Sequence, residues 1–497
     1  MREEELLINR LKAYKDSRIY PFHMPGHKRL QLGGIKGETA RSGMDFPNPF
    51  FVDITEVEGF DNLHHAQGIL KQSMEWAARV YGADRTWYLI NGSTCGILAS
   101  VCGCTRPGGH ILMSRNCHKA AYHAAYINHL RTSYVYPQDL PGLGIQGGIL
   151  PEDVEKALEE HRDIQAVFIV SPTYDGVVSD VSKIADIVHR KGIPLIVDEA
   201  HGAHFRFGKW FPDSALDMGA DAVIQSVHKT LPSLTQTALL HIKGNYVNSR
   251  NIERYLSIFQ SSSPSYVFMA SIENSIFVMD RMQRERDSVQ MKEYEAHLMD
   301  LRRRLASMKN LRLVDRDIVG MGGVWDLDVS KIVVSTRGTA LSGADLSSIL
   351  REKYHLEMEM CGADYVTAIT TVFDSPEGLQ RLGDSLEEID ADITGMPGSR
   401  EDGPAVYGMR AQARCSLREA MDSPCRPVRL KESEGQISAE FVYLYPPGIP
   451  ILAPGENIAR NILDVIEEYI KKGLPIQGPE DESLETLRVL SGERPIC

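Results

Sequence analysis

Apolar residues recur at two spacings along this chain, and segments of the two kinds alternate. Apolar residues three and four positions apart predict amphipathic helices, whereas short apolar runs predict buried strands. Helical spacing covers 3–15, 68–81, 151–161 and 181–191, and the strand-like runs are 87–90, 110–113, 133–136, 166–170, 194–197 and 222–224. Alternation with right-handed crossovers predicts a doubly wound, mostly parallel sheet.

The second half of the chain has longer helical stretches and scattered strand-like runs. Helices are predicted over 272–304, 343–354 and 458–471, and strands over 311–328, 331–335, 356–360, 366–372, 428–430 and 436–443. Residues 396–405 are dense in Pro, Gly and charge, which predicts a linker. We therefore expect an N-terminal arm (1–65), a large α/β domain (66–275), a small α/β domain (276–395), this linker (396–405) and a C-terminal α+β domain (406–497).

Length and composition narrow the class of protein. A chain of 497 residues, 43% apolar and 24% charged, is an ordinary globular protein with about three domains. A net charge of −13 argues against a nucleic-acid partner or an anionic membrane surface, and no apolar run is long enough to span a bilayer. The acidic start lacks a signal peptide's apolar core, and eight scattered cysteines without a C-x-x-C pair fit reduced thiols. These features predict a cytoplasmic protein.

Polar clusters follow the predicted strands. In doubly wound sheets, ligands bind beyond the carboxyl ends of the strands, so these clusters should face one site. They are Gly92-Ser93-Thr94, His118, Pro172–Gly176, Asp198–His201 and Ser226–Lys229.

Lys229 comes shortly after the apolar run 222–224, with Ser226 and His228 beside it. Lysine is rarely fully buried unless it is paired. One interpretation is a covalently used amine, because a Schiff-base lysine needs a desolvated amine of lowered pKa near a phosphate site. The alternative is an ordinary solvated lysine.

The turn Asn91–Gly96 joins a predicted strand to a predicted helix. Backbone N–H groups and the hydroxyls of Ser93 and Thr94 would form an anion cradle at the positive end of the helix. The alternative is simple N-capping by Ser93 or Thr94. The turn lacks the G-x-x-x-x-G-K-[ST] pattern, so an ATP P-loop is not supported.

Asp198 follows the apolar run 194–197 and precedes Lys229 by 31 residues. A buried carboxylate needs a positive partner, and a protonated pyridine nitrogen is one. His118 could stack on such a ring, while the Ser93 turn, Ser226 and His228 could bind its phosphate. This combination is the one expected for pyridoxal phosphate.

A metal site is the competing interpretation. Asp198, His201 and His204 could be ligands of a metal-dependent hydrolase. Gly202 makes a helical presentation of the two histidines less favourable, and adjacent residues such as His64 and His65 cannot easily face one ion. We therefore expect no metal.

Six segments together resemble the ornithine/lysine/arginine decarboxylases of the aspartate-aminotransferase fold, and most of all the shorter bacterial arginine decarboxylases. The resemblance extends from about residue 20 to the C-terminus, with no segment before the arm to serve as the wing domain of the longer enzymes. The segments are H-M-P-G-H-K (23–28), N-G-S-T (91–94), V-D-E-A-H-G (197–202), S-V-H-K (226–229), S-S-S-P-S-Y (261–266) and Y-P-P-G-I-P (445–450).

The resemblance implies a fold-type I enzyme whose large domain binds pyridoxal phosphate, and it implies roles for matching positions. Lys229 would hold the cofactor covalently, Asp198 would pair with the pyridine nitrogen, and His118 would stack on the ring. The remaining contacts implied are Ala200 on the opposite ring face, Ser93, Thr94, Ser226 and His228 on the phosphate, and Ser262 or Ser263 on the phosphate of the other subunit. The active site would then lie at the interface of a homodimer or higher homo-oligomer. His201 stands where the long enzymes tend to have an aromatic residue, and we place it on the substrate side.

The implied reaction is decarboxylation of a basic L-amino acid, with arginine giving agmatine and CO2 in polyamine biosynthesis. The alternatives are lysine or ornithine as substrate, another fold-type I lyase or aldolase, and a non-catalytic regulatory relative.

Lys229 or His228 would return a proton to Cα. Glu432, Glu434 and Glu440 are the candidates for binding the distal cation of the substrate. The segment 23–28 is either an ordered arm or an arm that reaches a neighbouring subunit's site.

Overall fold

The structure is a computed structural model, and it describes residues 6–17, 19–29, 47–140, 142–285, 288–393, 411–445, 448–471 and 473–492. The predicted linker 396–405 and Pro446-Pro447 of the segment 445–450 lie outside the described residues. In the described ranges, no helix is both long and apolar enough to cross a membrane.

The N-terminal half alternates strands and helices, as predicted. Its elements are α1 (Leu7–Asp16), β1 (Tyr20–Phe22), α2 (Pro49–Val52), α3 (Ile69–Tyr81), β2 (Arg85–Leu89), α4 (Gly92–Cys104), β3 (His110–Ser114), α5 (Lys119–Ile127), β4 (Arg131–Val135), α6 (Pro151–Glu160), β5 (Ile164–Val170), β6 (Val177–Val178), α7 (Val181–Arg190), β7 (Leu195–Asp198), β8 (Ala222–Gln225), α8 (Val227–Thr230), β9 (Ala238–Ile242) and α9 (Ser249–Phe259).

The second half contains longer helices, and its described strands form smaller sheets, two of which are completed by β1 and β6. Its elements are α10 (Tyr266–Arg284), α11 (Val289–Leu305), β10 (Arg312–Leu313), β11 (Asp326–Leu327), β12 (Lys331–Ser335), α12 (Gly343–Glu352), β13 (Leu356–Met358), β14 (Met360–Cys361), β15 (Tyr365–Ile369), α13 (Pro376–Ile393), α14 (Leu417–Asp422), β16 (Cys425–Arg429), β17 (Val442–Leu444), β18 (Ile449–Leu452), α15 (Arg460–Lys471), β19 (Ile476–Gln477) and β20 (Thr486–Leu490).

The main sheet has seven strands in the order β2-β9-β8-β7-β5-β3-β4. β9 is antiparallel to both of its neighbours, and the other neighbouring pairs are parallel. The prediction of a mostly parallel sheet is therefore confirmed. β9 itself was not among the predicted strands, although Ala238–Ile242 is buried throughout.

The two faces of the main sheet are covered by two separate apolar cores. Along β5, Val167 and Ile169 pack into one core, whereas Ala166 and Phe168 pack into the other. Helices α3, α6, α7 and α10 contribute to the first core, and α4, α5 and α9 to the second. Successive side chains of a strand point to opposite faces of the sheet. When both faces are covered, each strand is therefore a continuous apolar run in the sequence.

A four-stranded antiparallel sheet, β10-β12-β15-β14, forms beside α11, α12 and α13. The predicted strand 311–328 is wrong, because only its two ends are strands. Gly320, Gly322 and Gly323 adopt positive φ between them, which breaks the extended chain. In the C-terminal part, the predicted stretch 436–443 contains isolated bridges at Ile437 and Ser438 and the start of β17, while α15 falls within the predicted helix.

The arm packs against its own chain. β1 pairs in parallel with β13, and Gly26 N–H donates to the His228 carbonyl at 2.8 Å. A Cβ on Gly26 would lie 2.7 Å from the Thr230 carbonyl carbon, so only glycine allows this approach. Lys28 is buried, and its ammonium donates to the carbonyl of Ile369 at 2.6 Å. The interpretation of this segment as an ordered arm therefore fits the structure.

Candidate active site

One cavity of about 320 Å³ lies at the carboxyl edge of the main sheet. Its walls include nine of the eleven residues predicted for the site: Ser93, Thr94, His118, Asp198, Ala200, His201, Ser226, His228 and Lys229. The other two, Ser262 and Ser263, are exposed on the surface and do not line this cavity in the single chain. The convergence expected from the sheet topology is thus observed.

Lys229 lies on the one-turn helix α8, directly after β8. Its Nζ is 2.8 Å from Nε2 of His201. Burial lowers the pKa of Lys229, whereas the nearby Asp198 and Glu359 carboxylates raise it and Lys331 lowers it further. Burial also holds the pKa of His201 well below its usual value, so its neutral ring accepts a hydrogen bond from Lys229. Lys229 is thus a partly buried lysine with a histidine partner, which disfavours the solvated-lysine interpretation.

Asp198 is the last residue of β7, and it is buried. Its Oδ1 accepts a hydrogen bond from the Ala200 N–H at 3.1 Å, and no described side chain forms an ion pair with it. Burial raises its pKa, and the charge of Lys229 opposes that shift. A carboxylate in this state is complementary to a cationic group in the cavity.

The start of α4 presents hydrogen-bond donors to the same cavity. The helix begins at Gly92, whose φ of 74° favours glycine, so Ser93 and Thr94 lie in its first turn. Asn91 is the N-cap residue and makes no side-chain capping bond, so the N-capping interpretation for Ser93 or Thr94 is wrong. The Ser93 and Ser226 hydroxyls are 2.6 Å apart. Unpaired N–H groups and hydroxyls at a helix N-terminus form an anion site.

Two further histidines of the site are neutral. Burial lowers the pKa of His118 to about 3, and its Nδ1 accepts from the Ala120 N–H at the start of α5. Burial lowers the pKa of His228 to about 4, and its Nδ1 lies 2.8 Å from the Thr237 carbonyl. That carbonyl selects the Nδ1–H tautomer, which leaves Nε2 of His228 as an acceptor until the ring is protonated.

Several cavity residues were not predicted, and Glu359 is the most informative. One carboxylate oxygen accepts the Met24 N–H at 2.7 Å, and the other accepts the Tyr174 hydroxyl. The feature of the sequence that could have indicated Glu359 is an acidic residue between two apolar ones, Met358 and Met360. The other unpredicted lining residues include Met24, Asn116, Gln146, Tyr365 and Tyr445.

The three acidic candidates for the distal cation do not line this cavity. Glu432 and Glu434 are exposed in the C-terminal part. Glu440 accepts backbone hydrogen bonds from Glu480 at 2.8 Å and Arg488 at 2.7 Å. Among the described residues, the acidic side chains lining the cavity are instead Asp175, Asp198 and Glu359.

The proposed metal ligands have separate partners. His204 Nε2 lies 3.2 Å from the Asp328 carboxylate, while His201 Nε2 contacts Lys229. Over the described part of the chain, no group of three or more His, Cys, Asp or Glu side chains is placed to hold a metal ion.

Comparison with known proteins agrees with this site. Residues 6–334 match the model of the Orn/Lys/Arg decarboxylase major domain, and residues 405–473 match that of the Orn/Lys/Arg decarboxylase C-terminal domain. The chain belongs to the Orn/Lys/Arg decarboxylase family. Proteins named arginine decarboxylase from Bacillus anthracis and Bacillus subtilis are each 32% identical to it, over 99% of this chain and 98% and 99% of their own.

A solved structure of lysine decarboxylase A from Pseudomonas aeruginosa shows the same fold. It superposes with a TM-score of 0.74 at 20% identity, covering 97% of this chain and 80% of that one. This decarboxylase is therefore a fold-type I enzyme, and the predictions of family, fold class and enzyme class are confirmed.

Pyridoxal phosphate, the cofactor that this family implies, fits the residues of the site. Asp198 has no cationic partner among the described side chains, as a protonated ring nitrogen requires. The start of α4 offers its N–H groups and the Ser93 hydroxyl toward an anion. His118 and Ala200 both line the cavity, as the contacts implied for the two ring faces require.

Proposed function

We propose that this decarboxylase removes the α-carboxylate of a basic L-amino acid with pyridoxal phosphate, and that L-arginine, converted to agmatine and CO2, is its preferred substrate. The observation that supports the chemistry is the desolvated Lys229 amine in one cavity with Asp198 and His118. The preference for arginine is supported by the relatives named arginine decarboxylase, which match the chain almost end to end.

Each site residue has a defined task in this proposal. Lys229 holds the cofactor, Asp198 keeps a proton on the ring nitrogen, and His118 and Ala200 pack on the two ring faces. The phosphate would be bound by Ser93, Thr94, Ser226 and His228. The bound cofactor supplies an electron sink for the pair released when the Cα–carboxylate bond breaks.

The proton that replaces the carboxylate comes from Lys229 or His228. The 2.8 Å contact between Lys229 and His201 favours Lys229, because a neutral imidazole keeps the amine oriented in the cavity. His228 Nε2 can donate only after protonation, since Nδ1 is held by the Thr237 carbonyl.

A basic side chain also fits the charge of the cavity. Asp175 and Glu359 line it together with Tyr174 and Tyr365, which provide an acidic and aromatic wall. The volume of about 320 Å³ lies within the range of small-molecule sites.

We further propose a homodimer or higher homo-oligomer, with Ser262 or Ser263 reaching the phosphate of the partner's site. Both serines are exposed in the single chain. Phe50 and Phe51 on α2 are 93% and 85% exposed, and large adjacent apolar side chains of this kind are typical of an interface.

Polyamine biosynthesis in the cytoplasm is the proposed setting. The seven described cysteines are free thiols, which is compatible with a reducing compartment.

The experiment is CO2 release from arginine, lysine and ornithine by the purified enzyme with added pyridoxal phosphate. We expect the highest kcat/KM with arginine. Higher values with lysine or ornithine would reassign the substrate, and inactivity on all three would overturn the proposal. Aldol cleavage or amino transfer without CO2 would instead support another fold-type I activity.

A further inference from the structure

Asp175 lies in the turn between β5 and β6 and faces the cavity. The Gly176 N–H donates to the Thr173 carbonyl at 3.0 Å, and Thr173 N–H donates to the Val177 carbonyl at 2.8 Å, so the turn is tightly closed. Asp175 is only 5% exposed. Its position is therefore set by the backbone, and its side chain is held at the cavity wall.

Hydroxyl groups are the hydrogen-bond partners that Asp175 has. The Thr367 hydroxyl donates to Oδ1 at 3.3 Å, and Tyr365 is a second donor. No described lysine, arginine or histidine forms an ion pair with it. Burial raises the pKa of Asp175 to about 7, as expected for a carboxyl group without a neighbouring positive charge.

Some buried carboxylates of this chain are paired with cations, whereas the buried Glu199 accepts hydrogen bonds from Ser214, Gln225 and the Ala215 N–H and does not line the cavity. Asp328 lies 2.8 Å from Lys331, and Glu456 lies 2.9 Å from Arg115. A buried carboxylate is costly unless it is paired, so a cavity-facing one without a partner is complementary to a cationic ligand. Asp198 is the other such carboxylate in this cavity, and the cofactor ring nitrogen is its proposed partner.

Glu359 differs from Asp175 because both of its oxygens are already used. Its carboxylate accepts hydrogen bonds from the Met24 N–H of the arm and from the Tyr174 hydroxyl of the cavity wall, and so links the two. The Glu359 N–H donates to the Thr367 carbonyl at 3.0 Å, and the hydroxyl of the same threonine donates to Asp175. Glu359 is thus built into the wall that supports Asp175.

We infer that Asp175 is the specificity-determining residue that receives the distal cation of the substrate. The inference rests on the proposed function. Ionised Asp175 forms charge-assisted hydrogen bonds with a guanidinium or ammonium group, which a neutral side chain of the same shape cannot match. L-citrulline is such a neutral counterpart of L-arginine.

The test compares holoenzymes of the wild type, Asp175→Asn and Glu359→Gln. Agmatine binding is measured by calorimetry, and kcat and KM are measured for arginine. Inhibition constants are measured for citrulline. For Asp175→Asn we expect agmatine affinity to fall and the KM for arginine to rise between about tenfold and 100-fold, the range for losing a hydrogen bond to a charged group. Citrulline inhibition should be unchanged, and so should cofactor content and the midpoint of thermal unfolding.

Preference is the ratio of the citrulline inhibition constant to the KM for arginine, and the matched variant Glu359→Gln should retain the wild-type ratio. If Glu359→Gln loses this preference while Asp175→Asn keeps it, the inference is overturned and the cation binds at Glu359. If Asp175→Asn does not fold, Asp175→Glu provides the test. Its longer side chain should shift kcat/KM toward the shorter ornithine, and an unchanged chain-length preference would count against the inference. Failure of the proposed function is distinguishable, because the wild type would then release no CO2 from any basic amino acid.

Discussion

Nζ of Lys229 and Nε2 of His201 are 2.8 Å apart, and burial favours the neutral form of both groups. The contact joins the turn after β7 to the one-turn helix α8 after the neighbouring strand β8. An amine that is already desolvated and oriented is prepared for covalent use, and this relationship leads to the first two predictions.

Lys229→Ala should abolish covalent attachment of pyridoxal phosphate and lower kcat by about a thousandfold or more, because no other group can replace the nucleophilic amine. Visible absorption and the intact mass after borohydride reduction measure attachment. A matched control is Lys353→Ala, which removes an exposed lysine at the C-terminal end of α12. If Lys229→Ala keeps a reducible bond to the cofactor, Lys229 is not the attachment residue.

Asp198→Asn should lower the pKa of Lys229 further in the cofactor-free enzyme, since the Asp198 carboxylate is a group that raises it. Capture of pyridoxal phosphate requires the unprotonated amine, so its rate rises with pH through this pKa. The midpoint of the rate-against-pH curve should therefore move to lower pH in the variant. The same variant should lose most of its kcat, because the ring nitrogen no longer has an anionic partner. A midpoint that stays in place or moves upward would contradict the electrostatic role.

Gly26→Ala should disturb the turn that carries Lys229. Its Cβ would meet the Thr230 carbonyl carbon at 2.7 Å and Leu231 N at 2.8 Å, and a backbone cannot rotate away as a side chain can. Overpacking of this kind costs about 1–3 kcal/mol. We expect a lower midpoint of thermal unfolding together with a lower cofactor content. Normal values of both would show that the arm is not needed to support α8.

Lys28→Met should destabilise the protein by about 3 kcal/mol, because it leaves Asp374 and three carbonyl groups buried without their cation. Chemical denaturation measures the change. The control Lys353→Met removes an exposed lysine that pairs with Glu388, and it should leave stability unchanged. Equal effects of the two variants would argue against a structural role for the buried lysine.

Glu456→Gln should loosen the C-terminal part over the cavity. Arg115, in the loop after β3, donates to Glu456 at 2.9 Å and to the Pro450 carbonyl at 2.7 Å. Tyr445 and Ile449, which line the cavity, belong to the same part. We expect faster hydrogen exchange in 448–456 and a raised KM, with the main sheet unaffected. Uniform protection across the C-terminal part would contradict this role.

The apolar and polar pattern of the chain was enough to predict the alternation of strands and helices, the mostly parallel sheet and many of the residues that line the cavity. Parallel strands bring their carboxyl ends to one edge, so short polar clusters such as Ser226–Lys229 and Asp198–His201 could be assigned to one cavity before any distance was known. The domain boundaries proposed from the same pattern stay predictions.

Which acidic residues line the cavity, where the arm lies and what Lys229 contacts became visible from the three-dimensional packing alone. Glu359 contacts Met24 across 335 positions of the chain, and Asp175 contacts Thr367 across 192. Such pairs leave no periodic mark in the sequence, because the packing of β14, β15 and the turn after β5 creates them. The sequence around a carboxylate does not reveal which wall the side chain will face. For this reason the candidates Glu432, Glu434 and Glu440 could not be distinguished from cavity residues by sequence, and they do not line the cavity.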